Sequence, residues 1–446
     1  MVKFQHKQRR KSTMATKNIA SPESFLKSCV PADEIRRAAH RLGAIRRRRK
    51  VDPVVLLMST VVVVCGRGRL SLAEMRRQMA LRFGIELTRS SFWGRFTRAF
   101  EGLVTWLLER LETMSKERPP VYSGLLRGFR DVVAVDSTVL KVDDRLAHIW
   151  KGTRKTSAKA ALKVHTFVRA VTGELLRHRI TPDARSDCQE FALGHWAKGM
   201  LFLFDRGYRS ASLWWRTHRL GGYFITRLSA NYKPTIVDVN RLHRGRARGL
   251  AGRPLREAIV GLKRSMLDVQ CRFNVRVRPY RRAKGRRFTH DFRVVGLWDP
   301  KRKCYALYVT NIPPQRLSPQ EVAQLYRLRW EVETFYKAAK SGLGLHELAS
   351  TKPHIVRTLV KAALIRASIA MQAKCAADQN LPPGRWINPY QWVQVWRIAI
   401  ETLLRPSRTG LVEGYTWCQL ALAALDPNPG RPPTRWLCIH TESAAK

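Results

Sequence analysis

Two short apolar runs that each end on an aspartate constrain the fold of this chain more than any other feature: Asp131-Val-Val-Ala-Val-Asp136 and Leu201-Phe-Leu-Phe-Asp205. Runs this short and this rich in β-branched and aromatic residues read as buried strands. Between them, residues 161–170 and 174–180 also read as strands, joined in a hairpin across Val171-Thr-Gly-Glu174. Residues 187–200 have a helical pattern, with Asp187 as N-cap and Glu190 three positions on. A further helix (210–219) and strand (223–227) follow the second aspartate. Strands alternating with helices predict an α/β sheet, and such sheets carry their reactive groups at strand ends. Both aspartates lie at such ends.

The charge indicates what a site there would act on. The chain of 446 residues has 83 Lys and Arg against 33 Asp and Glu, a formal net charge of +50 with pI near 11.2. A ribosomal-type RNA binder or a codon bias toward Arg would share in such an excess, but an excess this large makes a field that attracts polyanions, of which nucleic acid is the commonest. With 45% apolar residues the chain can bury real cores. The cysteines are scattered with no C-x-x-C pair, which argues against a zinc ribbon or a disulfide framework and for a reducing cytosol. The largely apolar residues 54–65, behind Arg46-Arg-Arg-Arg-Lys50, fall short of the roughly 20 residues that a bilayer span needs. They read as a buried helix, so the expectation is a cytoplasmic protein with no membrane partner.

Texture divides the chain into five stretches. Residues 1–125 are basic and helical. Ser71-Leu-Ala-Glu74 is a capping box for a helix that Gly84 can end. A second helix from about Thr88 carries Phe92, Phe96, Phe100, Leu103, Leu107 and Leu111 at helical spacing, together with Arg89, Arg95 and Arg98. Such a pair suits helix-turn-helix DNA binding and equally suits plain packing. Arg46 to Lys50 reads as a phosphate-contacting patch. Residues 126–228 hold the strands above. Residues 229–303 read as a β-rich insertion with a basic face, since 271–278 and 289–295 alternate like half-exposed antiparallel strands around the basic loop 281–287. Residues 304–345 return to a buried strand and then a helix. Residues 346–446 are helical, and Val356, Leu359, Val360, Ala363, Leu364 and Ala367, with Trp392 and Trp396, fit core packing.

The helix after the last strand holds a third acid. Ser318 is a good N-cap, Pro319 suits the first turn, Glu321 completes a capping box, Leu317 and Val322 have staple spacing, and Gly342 can supply a left-handed stop. At about 100° per residue from Tyr326, Arg329 falls near 300°, Lys340 near 320°, Glu333 near 340° and Lys337 near 20°. Glu333 therefore borders the buried face among cations, while Glu331 points to water. Ion pairs four residues apart on a surface helix would look the same. The difference lies in Asp136 and Asp205, because acids on the first strand, after a later strand and on the last helix would converge at one sheet edge. Three carboxylates suit two hard cations such as Mg²⁺, about 4 Å apart, acting on a phosphodiester. A nearby Arg and Lys would hold flanking phosphates.

Tyr326-x₂-Arg329-x₃-Glu333-x₆-Lys340 resembles the Y-R-E-K signature of bacterial cut-and-paste transposases of the insertion-sequence-four family, within the DDE superfamily. Ala134-Val-Asp-Ser-Thr138 is similar to that family's first-Asp strand, and Phe204-Asp-Arg-Gly-Tyr208 to its second-Asp segment. The resemblance covers residues 126–345 and includes the β-rich insertion. It implies a ribonuclease H-like mixed sheet with flanking helices, interrupted by that insertion, between helical N- and C-terminal regions. It further implies that Asp136, Asp205 and Glu333 bind two Mg²⁺ ions, for which Mn²⁺ can substitute, and that Tyr326, Arg329, Lys337 and Lys340 contact DNA. The implied activity is hydrolysis at the element's terminal inverted repeats and 3′-OH strand transfer into target DNA, by a homodimer on paired ends at the nucleoid. A decayed DNA-binding derivative and a ribonuclease H-like nuclease are the alternatives. Some members of that family place an insertion-domain Trp against a flipped base, and Trp298 is the single Trp of residues 229–303. His165 reads as a satisfied core or surface histidine, Asp143 and Asp144 as turn residues, and Asp183 and Asp187 as rival metal ligands, of which Asp187 is better explained as a helix cap.

Overall fold

The computed structural model describes residues 21–45, 51–62, 72–153, 158–241, 249–262, 264–277, 285–337, 339–340, 348, 350–382, 384–403, 415–425 and 438. Its centre is β1 (Asp131–Lys141), flanked on one side by β2 (Ala161–Arg169) and β3 (Leu175–Pro182), and on the other by β4 (Met200–Phe204) and β5 (Tyr223–Arg227). β1, β4 and β5 run parallel, while β2 and β3 are antiparallel, in the order β3-β2-β1-β4-β5. This is the mixed sheet expected of a ribonuclease H-like core. The expected hairpin joins β2 to β3, with Gly173 supplying the positive φ of 78° that its turn requires.

β6 (Thr235–Val239), β7 (Met266–Val277), β8 (Arg286–Asp299) and β9 (Cys304–Thr310) continue the same sheet, because β9 pairs antiparallel with both β5 and β8. Nine strands form one sheet among the described residues. Alternation along β1 serves two cores. Val132 and Ala134 face a helical layer, whereas Val133 and Val135 face Phe191, Phe202, Phe204 and Trp214.

The helical layer contains α1 (Pro22–Cys29), α2 (Ala32–Arg41), α3 (Pro53–Val62), α4 (Leu72–Phe83), α5 (Arg89–Trp93) and α6 (Arg98–Glu117). On the second face lie α7 (Asp187–Glu190), α8 (Ala211–Arg219) and α9 (Leu255–Ala258). After the sheet come α10 (Pro319–Tyr326), α11 (Trp330–Lys337), α12 (Pro353–Asp378), α13 (Pro389–Leu403) and α14 (Trp417–Ala423). The long, nearly all-buried α12 packs on α6, where Glu101 accepts from Arg357 at 2.7 Å and Lys361 at 3.1 Å. Among the described residues, no helix is long and apolar enough to cross a membrane.

Several expected elements differ. The helix from Thr88 is two helices, because Thr97 caps α6 by accepting from Phe100 N, although Phe92, Phe96 and Phe100 still pack in tilted and edge-on pairs with ring centroids 5.3 Å apart. The helix expected over 187–200 shrinks to α7: the N-cap position is Ser186, and Phe191 leaves the helix to pack against Phe167 and the sheet. Strand β1 runs on past Asp136 to Lys141. The helix opened by Ser318 tightens into a 3₁₀ turn at Arg327–Arg329 before α11. Arg46 to Lys50, Ser71, most of the loop 281–287 and Gly342 lie outside the described residues.

Candidate active site

Register brings the two aspartates together. Val135 pairs with Phe204 across the parallel β1–β4 ladder, so Asp136 and Asp205 are the next residues along adjacent strands. Neighbouring strands lie about 4.8 Å apart. β4 stops at Phe204, and Asp205 caps the short 3₁₀ turn Arg206–Tyr208, its Oδ2 accepting from Gly207 N at 3.5 Å. β1 outruns β4 here because its other neighbour, β2, continues to pair with it, with Thr166 opposite Asp136.

The helix brings the third acid. Ser318 accepts from Glu321 N, Glu321 Oε2 accepts from Ser318 N at 2.7 Å, and Leu317 and Val322 are buried, so the start of α10 is fixed as its sequence anticipates. Tyr326 is buried and donates to the Phe204 carbonyl at 3.3 Å, immediately before Asp205. Tyr336 donates to the Val164 carbonyl at 2.8 Å, has the Asp136 carbonyl at 3.2 Å, and accepts from Thr166 Oγ1 at 2.8 Å. The two tyrosines fasten the helix to β4 and to β1–β2 respectively. Arg329, nearly buried, then spans the acids, with Nη2 2.6 Å from Glu333 Oε1 and Nη1 3.5 Å from Asp205 Oδ1.

Electrostatics tie Asp136 to the same centre. Its pKa is pushed up to about 7, first by burial and further by the charges of Asp205 and Glu333, against the Ser137 N–H bonded to Oδ1 and the Arg329 charge. Burial lowers the pKa of Lys340, against the charge of Asp136, which raises it. Burial pushes Tyr326 up to about 12, keeping its phenol protonated. Lys337 is exposed on α11.

An all-oxygen set of three acids, of which Asp136 resists ionisation, is suited to hard divalent cations. Among the described residues, no three His, Cys, Asp or Glu side chains are gathered closely enough to hold one ion as they stand. The Arg329 guanidinium lies between two of the acids, so closing round an ion requires side-chain movement there.

Other candidates fall elsewhere. His165 is buried with its Nε2 2.9 Å from Thr181 Oγ1, and burial pushes its pKa down to about 4, as a satisfied core histidine requires. Asp143 caps the turn 144–146, and Asp183 is buried, accepting from Thr153 N and Oγ1. Trp298 is 41% exposed and packs edge-on to Tyr305. Its register with β9, read through β5, puts it on the carboxylate edge of the sheet but beyond Arg227. Tyr336 and Arg227 are neighbours of the site that sequence reasoning missed. Tyr336 looks like any buried aromatic, while Arg227, stacked on Tyr308 with its Cζ 5.4 Å from the ring centroid, is one arginine among many.

Residues 127–367, more than half of the chain, match the family described as "Transposase DDE domain". Among similar proteins is the transposase for insertion sequence element IS231C of Bacillus thuringiensis subsp. berliner, 22% identical over 343 residues, covering 70% of this chain and 71% of that one. The transposase for IS231D of Bacillus thuringiensis subsp. finitimus is 23% identical over 348 residues with the same coverage. The putative transposase InsL for IS186A of Escherichia coli (strain K12) is 35% identical over 63 residues, 14% of this chain and 17% of that one. The matched family segment opens just before β1 and closes in α12, taking in the whole carboxylate edge, and the chain belongs to the family of DDE transposases.

Proposed function

We propose that this transposase moves its own insertion sequence by a cut-and-paste route, hydrolysing DNA at the element's terminal inverted repeats and transferring the freed 3′-OH into target DNA. The observation that carries the reading is the single guanidinium of Arg329, hydrogen-bonded to Glu333 and in ion-pair contact with Asp205, beside an Asp136 that feels both charges. In this reading Asp136, Asp205 and Glu333 are the catalytic carboxylates. They would hold two Mg²⁺ ions, with Mn²⁺ able to substitute, in line with the divalent-metal dependence of DDE transposases. Such ions lower the pKa of an attacking water or hydroxyl and neutralise charge on the scissile phosphate.

The chain's own residues do the rest. Tyr326 and Tyr336 hold the helix so that Glu333 faces the strand ends. Arg329, Lys337 and Lys340 contact DNA phosphates near the cut, while Tyr326, buried with its one O–H on the Phe204 carbonyl, would have to release that bond to reach one. Arg329 is suited to hold two phosphate oxygens at once, and Lys340 a single charge. Residues 1–125 form the basic DNA-binding region and 126–228 with 304–345 the catalytic core. Residues 229–303 are an insertion whose exposed edge carries Trp298, and 346–446 are the C-terminal helical region. The protein works in the cytoplasm, at the nucleoid, as a homodimer on paired ends.

The test is joining. A duplex ending in a pre-cut terminal repeat with a free 3′-OH, mixed with supercoiled target and Mg²⁺, is expected to give covalent repeat–target products. Hydrolysis of the repeat without joining would make the protein a nuclease, and binding without either would make it a decayed DNA-binding protein.

A further inference from the structure

A carboxylate outside the DDE set touches the backbone segments that carry both aspartates. Asp187, at the start of α7, has Oδ1 3.1 Å from the Ser137 hydroxyl, which donates to it, and 3.2 Å from Lys163 Nζ. The same oxygen lies 3.6 Å from His165 Nδ1. Ser137 is the residue after Asp136. The other oxygen faces the Asp205 loop: a Cβ added at Gly207 would stand 3.1 Å from Asp187 Oδ2. Cys188 reinforces this contact by donating its thiol to the Gly207 carbonyl at 3.4 Å.

The sequence suggests a helix cap at Asp187, but the N-cap position is Ser186, and the Asp187 carboxylate turns inward to these tertiary partners. The partners are themselves fixed. Lys163 donates to the Arg185 carbonyl at 3.1 Å, and His165, opposite Ser137 on β2, is held by Thr181 and by Tyr208 at 3.4 Å. A Cβ at Gly207 would crowd the Asp187 carboxylate, so the turn approaches it most closely with glycine there.

We propose that Asp187 is a positioning residue of the carboxylate centre. It clamps the Asp136–Ser137 segment of β1 against the Asp205–Gly207 turn, and thereby sets the separation of the two aspartates and the centre's affinity for divalent cations. The inference rests on the reading that Asp136, Asp205 and Glu333 hold the metal. Groups that orient metal ligands typically change metal affinity or activity about 10- to 100-fold when removed.

Calorimetric Mn²⁺ binding to the full-length protein, without cleavage, separates the possibilities. Ser137→Ala removes one hydrogen bond from the clamp, and Asp187→Asn removes its charge. Each is expected to weaken Mn²⁺ binding about 10-fold or more, to raise the Mn²⁺ needed for half-maximal cleavage by a similar factor, and to leave DNA binding in EDTA unchanged. Asp136→Asn serves as the reference. If Asp136→Asn abolishes binding while Ser137→Ala and Asp187→Asn bind Mn²⁺ like wild type, the clamp is wrong and the metal site stands. If Asp136→Asn itself binds Mn²⁺ normally, the metal site is wrong and the clamp falls with it.

Discussion

Asp136 shows how one residue can be anticipated in place but not in energy. Its position after an apolar run predicts a strand-end acid; β1 instead runs on to Lys141, and register with the shorter β4 sets Asp136 beside Asp205. The upward shift of its pKa depends on acids that are distant in sequence, so the sequence does not display it. The consequence for stability has a definite sign. With the folded-state pKa raised to about 7 from 3.8, the folded protein keeps a proton between those values that the unfolded chain has released. Stability of the metal-free protein therefore falls as pH rises through that window, and the full cost is present above it. Asp136→Asn, which cannot ionise, should match wild type near pH 4 and be more stable by about 1–3 kcal/mol at pH 8. Urea denaturation in EDTA at the two pH values measures the gap, and a gap independent of pH would assign it to something other than the ionised carboxylate. Tyr336 was illegible for a different reason: its partners Val164, Thr166 and the Asp136 carbonyl come from strands far upstream.

At the scale of elements, local signals hold at the start of α10 but not at α7, where Ser186 and not Asp187 is the N-cap and Phe191 leaves the helix for the sheet. Ser318, Glu321, Leu317 and Val322 specify the start of α10 from neighbours within one turn, and they behave as their types require. The 3₁₀ turn at Arg327–Arg329 contains no Gly or Pro to announce it. It follows the buried anchor Tyr326 and ends on the buried Arg329, where tertiary contacts outweigh local preference. Alternation revealed β7 and β8, but the fusion of β6–β9 to the core sheet edge was hidden, because β5 finds β9 only across the whole insertion. That fusion gives the insertion a supporting role. Arg293 on β8 pairs with Asp268 on β7 at 2.7 Å and donates to the Ile312 and Leu317 carbonyls at 3.1 and 2.8 Å, just ahead of Ser318. Arg293→Ala leaves a buried carboxylate unpaired and is expected to cost about 3–5 kcal/mol in urea denaturation. A loss below about 1 kcal/mol would mean that the pair does not hold the α10 entrance. Ser318→Ala, which removes only the cap, should cost about 1 kcal/mol.

For the whole molecule, the sequence suggested helical regions at both ends, and the structure packs them as one layer on one face of the sheet, with Glu101 of α6 bonded to Arg357 and Lys361 of α12. No sequence periodicity links residues so far apart. The charge of +50 was legible from composition alone, and it makes a claim about DNA binding. If 6 to 10 phosphates are contacted, affinity for a duplex should fall about 10³- to 10⁵-fold between 50 and 200 mM salt. A flat response in fluorescence anisotropy would remove the electrostatic account of binding. The central claim is that β1, the end of β4 and α11 bring three acids to one metal-dependent cutting site. It is tested most directly by Mg²⁺-dependent nicking of the element's terminal repeat, comparing wild type with Asp136→Asn, Asp205→Asn and Glu333→Gln, with DNA binding checked in EDTA. Each variant is expected to bind the repeat and to nick it at least about 100-fold more slowly, whereas wild-type nicking by any of the three would contradict the account.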